Sequence, residues 1–288
     1  MGTRRWVRLP AGSCVGVLLG ICGAVGLTRA GGPPDTQAAA EQGLPVELEA
    51  LLDGMEAAGA RIRDLRARVR YGGEELLVAS RTDRLGTLAL VREGGAGGGA
   101  GATARFLVHF KIKIVDGEAE REDEYYGFDG QDLVSRKDKV KVASRERIVR
   151  PGETLDPLRL DGPFPVPFGQ KKSELLVQFS VTEEAVRPEL VQELVRARAV
   201  TEQTKLRGLL LTSRPGSSMA GRTQWVRLVV DEGTHLPVWV QSREGQDRQK
   251  TALFSAVEVN TGLGPSDVRV DVPEDFTWAE PARPQPAD

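Results

Sequence analysis

The sequence predicts an α+β fold in which a strongly curved antiparallel sheet wraps helices. Two observations carry that expectation. The stretch RFLVHFKIKIV (105–115) alternates strictly: Phe106, Val108, Phe110, Ile112 and Ile114 fall on one side, and Leu107, His109, Lys111, Lys113 and Val115 on the other. Such alternation marks a strand with one dry and one wet face. Around it, one long amphipathic helix is followed by many short strands with helical matter between them, an arrangement of segregated helices and antiparallel strands.

The elements follow in order. LPVELEALLDGMEAAGARIRDL places Leu48, Leu51, Leu52 and Met55 at helical intervals, which predicts a helix over 45–60. Residues 64–71 alternate Leu65, Ala67, Val69 and Tyr71 against Arg66, Arg68 and Arg70, a strand. GTLALVR (86–92) continues the pattern, and GGAGGGAGA (94–102) reads as a flexible hairpin loop. EDEYYGF turns at Asp129-Gly130 into DLVSRKD, and VKVASRERIV follows. DPLRLDGPFPVPFGQ (156–170), rich in Pro and Gly, is irregular. KKSELLVQF gives a short helix running into a strand, and RPELVQELVRARA (187–199) a surface helix. TKLRGLLLTSR, a hairpin over Asp231–Thr234, TALFSAVEVN and VRVDVPEDFTW complete the chain. No internal repeat is visible, and no linker divides 45–278.

The first 30 residues are set apart from the fold. Arg4, Arg5 and Arg8 precede the apolar run 11–27, and Thr28 and Ala30 supply the small residues of a cleavage site, the layout of a secretory signal peptide. An apolar run shorter than roughly 18 residues argues against a permanent span, with an uncleaved anchor as the alternative. Both cysteines, Cys14 and Cys22, lie in this leader, so the mature chain has no thiol for a disulfide or a zinc site. Four basic and no acidic residues leave with the leader, which takes the formal charge from −2 to −6. That mildly acidic balance gives no footprint for nucleic acid. The expected organisation is therefore a signal peptide (1–30), a linker (31–44), a single folded domain (45–278) and a disordered tail (279–288), with a periplasmic location.

Catalytic signatures are sought and not found. GGAGGGAGA lacks the Gly-Lys-Ser/Thr of a phosphate loop. His109 and His235 stand far apart without metal-type spacing, and His109 reads as a solvated histidine on the wet face of its strand. The acidic stretch 118–126 lacks the spacing of a calcium loop. No serine sits in a Gly-x-Ser-x-Gly elbow. The reading is of a protein that is not an enzyme and needs neither cofactor nor metal.

What the sequence offers instead is apolar faces with large side chains: Leu88 and Leu90, then Phe106, Val108 and Phe110, then Trp225, Trp239 and Phe254. Each is first of all ordinary core. Arg92 shares the side of Leu88 and Leu90, and a guanidinium at the rim of an apolar surface requires a hydrogen-bonding partner or an escape to water. The nine residues Leu88, Leu90, Arg92, Phe106, Val108, Phe110, Trp225, Trp239 and Phe254 are the candidate lining of a cavity for an acyl chain.

In its order of parts the chain resembles the periplasmic outer-membrane lipoprotein carriers of the LolA type. The likeness rests on the leader, the amphipathic helix, Gly86-Thr87-Leu88-Ala89-Leu90-Val91-Arg92, EYYGFDGQDLV (124–134), DGPFPVPFGQKKSELL, LPVWVQSRE with TALFSAVEVN, and FTW after VPED, over about 45–278. The chain departs from the pattern where Glu93 replaces a proline and the Gly/Ala loop lengthens the turn before Phe106. The resemblance implies an incomplete, strongly bent antiparallel β-barrel with helices as a lid, whose inner surface receives the acyl chains of a lipoprotein or similar lipid. It implies that Arg92 holds the lid closed through hydrogen bonds and that Phe106 helps accept cargo. The implied partners are an inner-membrane ABC-type lipoprotein transporter and an outer-membrane acceptor. A lipid-sensing regulatory module of the cell envelope with the same half-barrel is the alternative reading.

Overall fold

The computed structural model describes residues 6–7, 44–93, 103–149 and 168–279. Most of the leader, the linker to residue 43, the Gly/Ala stretch 94–102, most of the Pro/Gly-rich segment 156–170 and the tail from 280 lie outside the described residues.

Thirteen strands among the described residues form one sheet. Helix α1 (Val46–Ala60) leads into β2 (Asp64–Glu75), β3 (Ser80–Glu93), β4 (Thr103–Val115), β5 (Glu118–Phe128), β6 (Asp132–Lys137) and β7 (Val142–Arg147). Then come α2 (Lys172–Gln178), β8 (Phe179–Glu184), α3 (Pro188–Arg196), β9 (Leu206–Ser213), β10 (Thr223–Asp231), β11 (Leu236–Glu244), β12 (Arg248–Val259) and β13 (Thr277–Ala279). A two-residue β1 (Trp6–Val7) pairs in parallel with β13. The order across the sheet is β1-β13-β7-β6-β5-β4-β3-β2-β12-β11-β10-β9-β8, antiparallel apart from the β1/β13 and β13/β7 pairs. Each end has a single neighbour, so the sheet stays open as an incomplete barrel, in keeping with the expected α+β class.

Alternation assigns the two faces. On the inner face, Leu48, Leu51, Leu52 and Met55 of α1 pack with Leu175 of α2 against Leu209, Leu211, Val226 and Leu228. The other half of that face carries Leu65, Ala67, Val69, Leu88, Leu90, Phe106, Phe110, Tyr126, Phe128 and Phe254. On the outer face, Leu190 and Leu194 of α3 cover Val229, Val238, Trp239 and Leu253. Lys172 ties α2 to the polar side of α1, with its Nζ 2.6 Å from Asp53 and 3.0 Å from Glu49 and its backbone N–H donating to Glu56.

Strand β4 departs from the strict alternation. Its pairing slips on both sides after Phe110: Gly86 faces Phe110 while Leu85 faces Ile112, and Phe110 faces Glu124 while Ile112 faces Arg121. A bulge of this kind inserts one residue and reverses the faces beyond it. Phe106, Val108 and Phe110 stay inside, but Ile112 turns outward, 38% exposed, and Lys113 takes the inner position. The slip requires a close approach, since a Cβ on Gly86 would lie 2.0 Å from the carbonyl oxygen of His109.

The outer face also corrects the expectation for His109. Its ring stacks on Tyr125 at 3.9 Å, its Nε2 lies 2.9 Å from Asp123 Oδ1, and Arg136 covers the same tyrosine at 3.8 Å. The residue is on the wet face but held, because the C-terminal segment crosses here: Arg136 donates to the Asp271 carbonyl and Lys141 pairs with Asp275.

The slip has a measurable consequence. Phe110→Ala should cost about 3–5 kcal/mol in urea unfolding. Ile112→Thr should cost below about 1 kcal/mol, whereas a strand that alternated to its end would make the two losses comparable.

Candidate functional site

Six of the nine cavity candidates come together on the inner face. Leu88, Leu90, Phe106, Phe110 and Phe254 are buried in one cluster and Val108 packs against it. Phe106 stacks on Phe128 with ring centres 5.9 Å apart. Trp225 and Trp239 do not join them. Val226 and Val240 occupy the inner positions of β10 and β11, so the neighbouring tryptophans point the other way. Trp239 lies beneath α3, and Trp225 is half-buried on the outer face with the Arg227 guanidinium 4.6 Å from its ring.

The ninth candidate, Arg92, stands at the rim of the cluster. Its Nη1 donates to the Gly59 carbonyl at 2.7 Å, and its own backbone N–H donates to Arg63. The Gly59 oxygen lies in the last turn of α1, where carbonyls lack the full intrahelical set of donors and carry partial negative charge, so a guanidinium complements it. Gly169 completes the contact. A Cβ on Gly59 would sit 2.0 Å from Gly169 Cα, and one on Gly169 would sit 2.6 Å from Arg92 Nη2. Gly169 also has φ of 84°, a conformation that costs glycine little. Two backbones therefore touch, with an arginine across the seam.

The residue before Gly169 explains what the seam holds. Phe168 is buried and meets Phe254 edge-on at 4.9 Å, so it lies on the apolar face itself together with Ile62 and Val149. Periodicity does not single out Phe168, because its Pro/Gly-rich surroundings carry none.

Toward the β2–β3 turn the same face becomes polar. Arg84 Nε lies 3.2 Å from Glu124 Oε2, both side chains buried, while Lys137 reaches the other oxygen at 3.5 Å and the Tyr126 hydroxyl donates to Oε2 at 3.1 Å. Burial, then the nearby Glu124 charge, push the Tyr126 phenol well above its usual range, and burial does the same for Tyr71. Both remain protonated donors at neutral pH. These charges border a cleft of about 380 Å³ open to solvent. Strand parity is the available signal: Arg84 shares the side of Leu88, and Glu124 that of Tyr126.

No family model matches the chain, and no curated protein matches it. Solved structures do. An uncharacterized conserved protein from Thermus thermophilus matches over 81% of this chain and 99% of its own, at 10% identity and a TM-score of 0.42. The Pseudomonas aeruginosa MucA/MucB complex matches over 78% of this chain and 62% of the other, at 12% identity and 0.37. A domain provisionally named as an outer membrane lipoprotein-sorting protein, from Vibrio parahaemolyticus, matches over 76% and 96%, at 12% identity and 0.32. Scores below 0.5 at such identities describe a loose likeness in the path of the chain and assign no function.

Gly169→Val tests the seam. Its branched side chain would meet Arg92 and demand a left-handed backbone, so Phe168 should lift from Phe254. The expected result is a loss of about 1–3 kcal/mol and increased binding of a dye specific for exposed apolar surface. Unchanged stability and dye binding would show that the contact holds nothing.

Proposed function

We propose that this chain is a periplasmic carrier that binds the acyl chains of a lipoprotein or similar lipid on the inner face of its sheet and moves them between membranes. Residues 45–278 act as the binding domain, delivered by the leader 1–30, with the linker 31–44 before it and the tail 279–288 after it. The donor is an inner-membrane ABC-type transporter and the recipient an outer-membrane acceptor. No bond is made or broken, so no catalytic residue, cofactor or metal takes part. Among the described residues no helix is long and apolar enough to cross a membrane.

One observation supports this reading above the others: among the described residues, a large aromatic and aliphatic face carries Phe168 on Phe254, with Arg92 bridging a glycine–glycine contact at its rim. Magnitudes favour a removable cover. Exposing a phenylalanine costs about 1.5–3 kcal/mol, and each hydrogen bond of the Arg92 guanidinium contributes about 1 kcal/mol net. An acyl chain of about 14 methylenes at roughly 0.8 kcal/mol each gains about 11 kcal/mol by leaving water. The guest can therefore displace the cover, and a partner with higher affinity can take the guest and let the cover return.

Removing the fastener should raise affinity, because less energy is spent on opening. Arg92→Leu should bind a fluorescent fatty-acid probe at least about fivefold more tightly than the wild type, as loss of the Gly59 hydrogen bond at about 1 kcal/mol requires, and remain folded by circular dichroism. Identical probe affinities, or no binding by either protein, would overturn the reading.

A further inference from the structure

The ion-paired charges at the polar end of the inner face satisfy one another, with two exceptions. Among the described residues, Glu124 is engaged by Arg84, Lys137 and Tyr126, and Lys250 by Glu244 at 2.7 Å. The first exception is Glu122. Lys113 Nζ lies 3.4 Å from its Oε2, yet no hydrogen bond reaches that buried oxygen. A carboxylate oxygen taken out of water without a donor carries a desolvation penalty that a ligand N–H can relieve. The second is Arg84, which spends only its Nε on Glu124 and keeps the paired donors of its fork.

Both groups line the cleft of about 380 Å³, whose wall bears five basic and four acidic side chains. That near balance disfavours a polyanion or a bare cation. It suits a molecule that brings one charge of each sign. The buried Arg84–Glu124 pair stands in this wall, and because replacing a buried ion pair by apolar packing often leaves stability unchanged, folding alone does not require it. The cleft also begins where the aromatic floor ends: Tyr71 and Tyr126 flank Phe110 with ring centres 6.3 and 6.2 Å away. Tyr71 lines the cleft as well.

We propose that this cleft binds the zwitterionic head group of an ammonium phosphodiester lipid. The phosphate accepts from Arg84 and the neighbouring lysines, and the ammonium donates to Glu122. The proposal rests on the reading that the adjoining apolar face receives acyl chains, since that is what makes the ligand an amphiphile.

The test uses the full mature chain and isothermal titration with glycerophosphoethanolamine, the head group without tails. Glycerol 3-phosphate and ethanolamine serve as single-charge controls. Glycerophosphoethanolamine should bind at least tenfold more tightly than either control, and Glu122→Gln should erase its advantage over glycerol 3-phosphate. A second variant keeps the outcome independent of charge. A Cβ on Gly73 meets nothing within 4 Å, so Gly73→Leu should fold normally, fill the cleft and abolish head-group binding while the fluorescent fatty-acid probe still binds. No binding of glycerophosphoethanolamine at millimolar concentration, or equal affinity in wild type and both variants, overturns the proposal. Head-group binding without probe binding would sink the acyl-chain reading and leave a polar site. Probe binding without head-group binding would do the reverse.

Discussion

The aromatic half of the inner face is bounded by the contact between Gly59, Gly169 and Arg92. Van der Waals repulsion forbids any side chain at the seam, since a Cβ on the helix glycine would overlap the backbone of Gly169. Electrostatics supplies the complement, an arginine donating to a carbonyl in the final turn of α1. The result fixes two things at once. It sets where α1 ends against the sheet, and it seats Phe168 on Phe254. Among the described residues the seam is a glycine contact bridged by Arg92, a contact of a few kcal/mol and within reach of a ligand or a partner.

The register slip in β4 divides that inner face into two environments. Before it, Phe106, Val108 and Phe110 continue the apolar cluster of β3 and β2; after it, Lys113 replaces the isoleucines. One inserted residue thus turns a uniformly oily strand into one that is dry at the lid end and charged at the other. Polarity graded along a single concave surface is the arrangement an amphiphile requires, and the buried Arg84–Glu124 pair lies on the polar side of that boundary.

Much of this is legible in the sequence, for identifiable reasons. Helix α1 announces itself because Leu48, Leu51, Leu52 and Met55 keep helical spacing, and they are the residues that dock. Period two places Leu88, Leu90 and Arg92 on one side, and they share it. The tryptophans mislead because their size suggests the inner face, while parity with Val226 and Val240 puts Trp225 and Trp239 outside. Ile112 and Ile114 mislead for the opposite reason: their pattern is perfect, but a bulge depends on the neighbouring strands and leaves no trace in the alternation. Phe168 and the glycine pair come from segments more than 100 residues apart, and no local pattern encodes such a meeting.

The most direct test of an openable apolar face is photocrosslinking of the full chain with a diazirine-bearing palmitate, read by mass spectrometry of the peptides. The account predicts adducts on inner-face residues of β3, β4 and β12, among them Leu88, Phe106 and Phe254. Adducts confined to the outer face around Trp225, or none above the level given by an unrelated soluble protein, would contradict it.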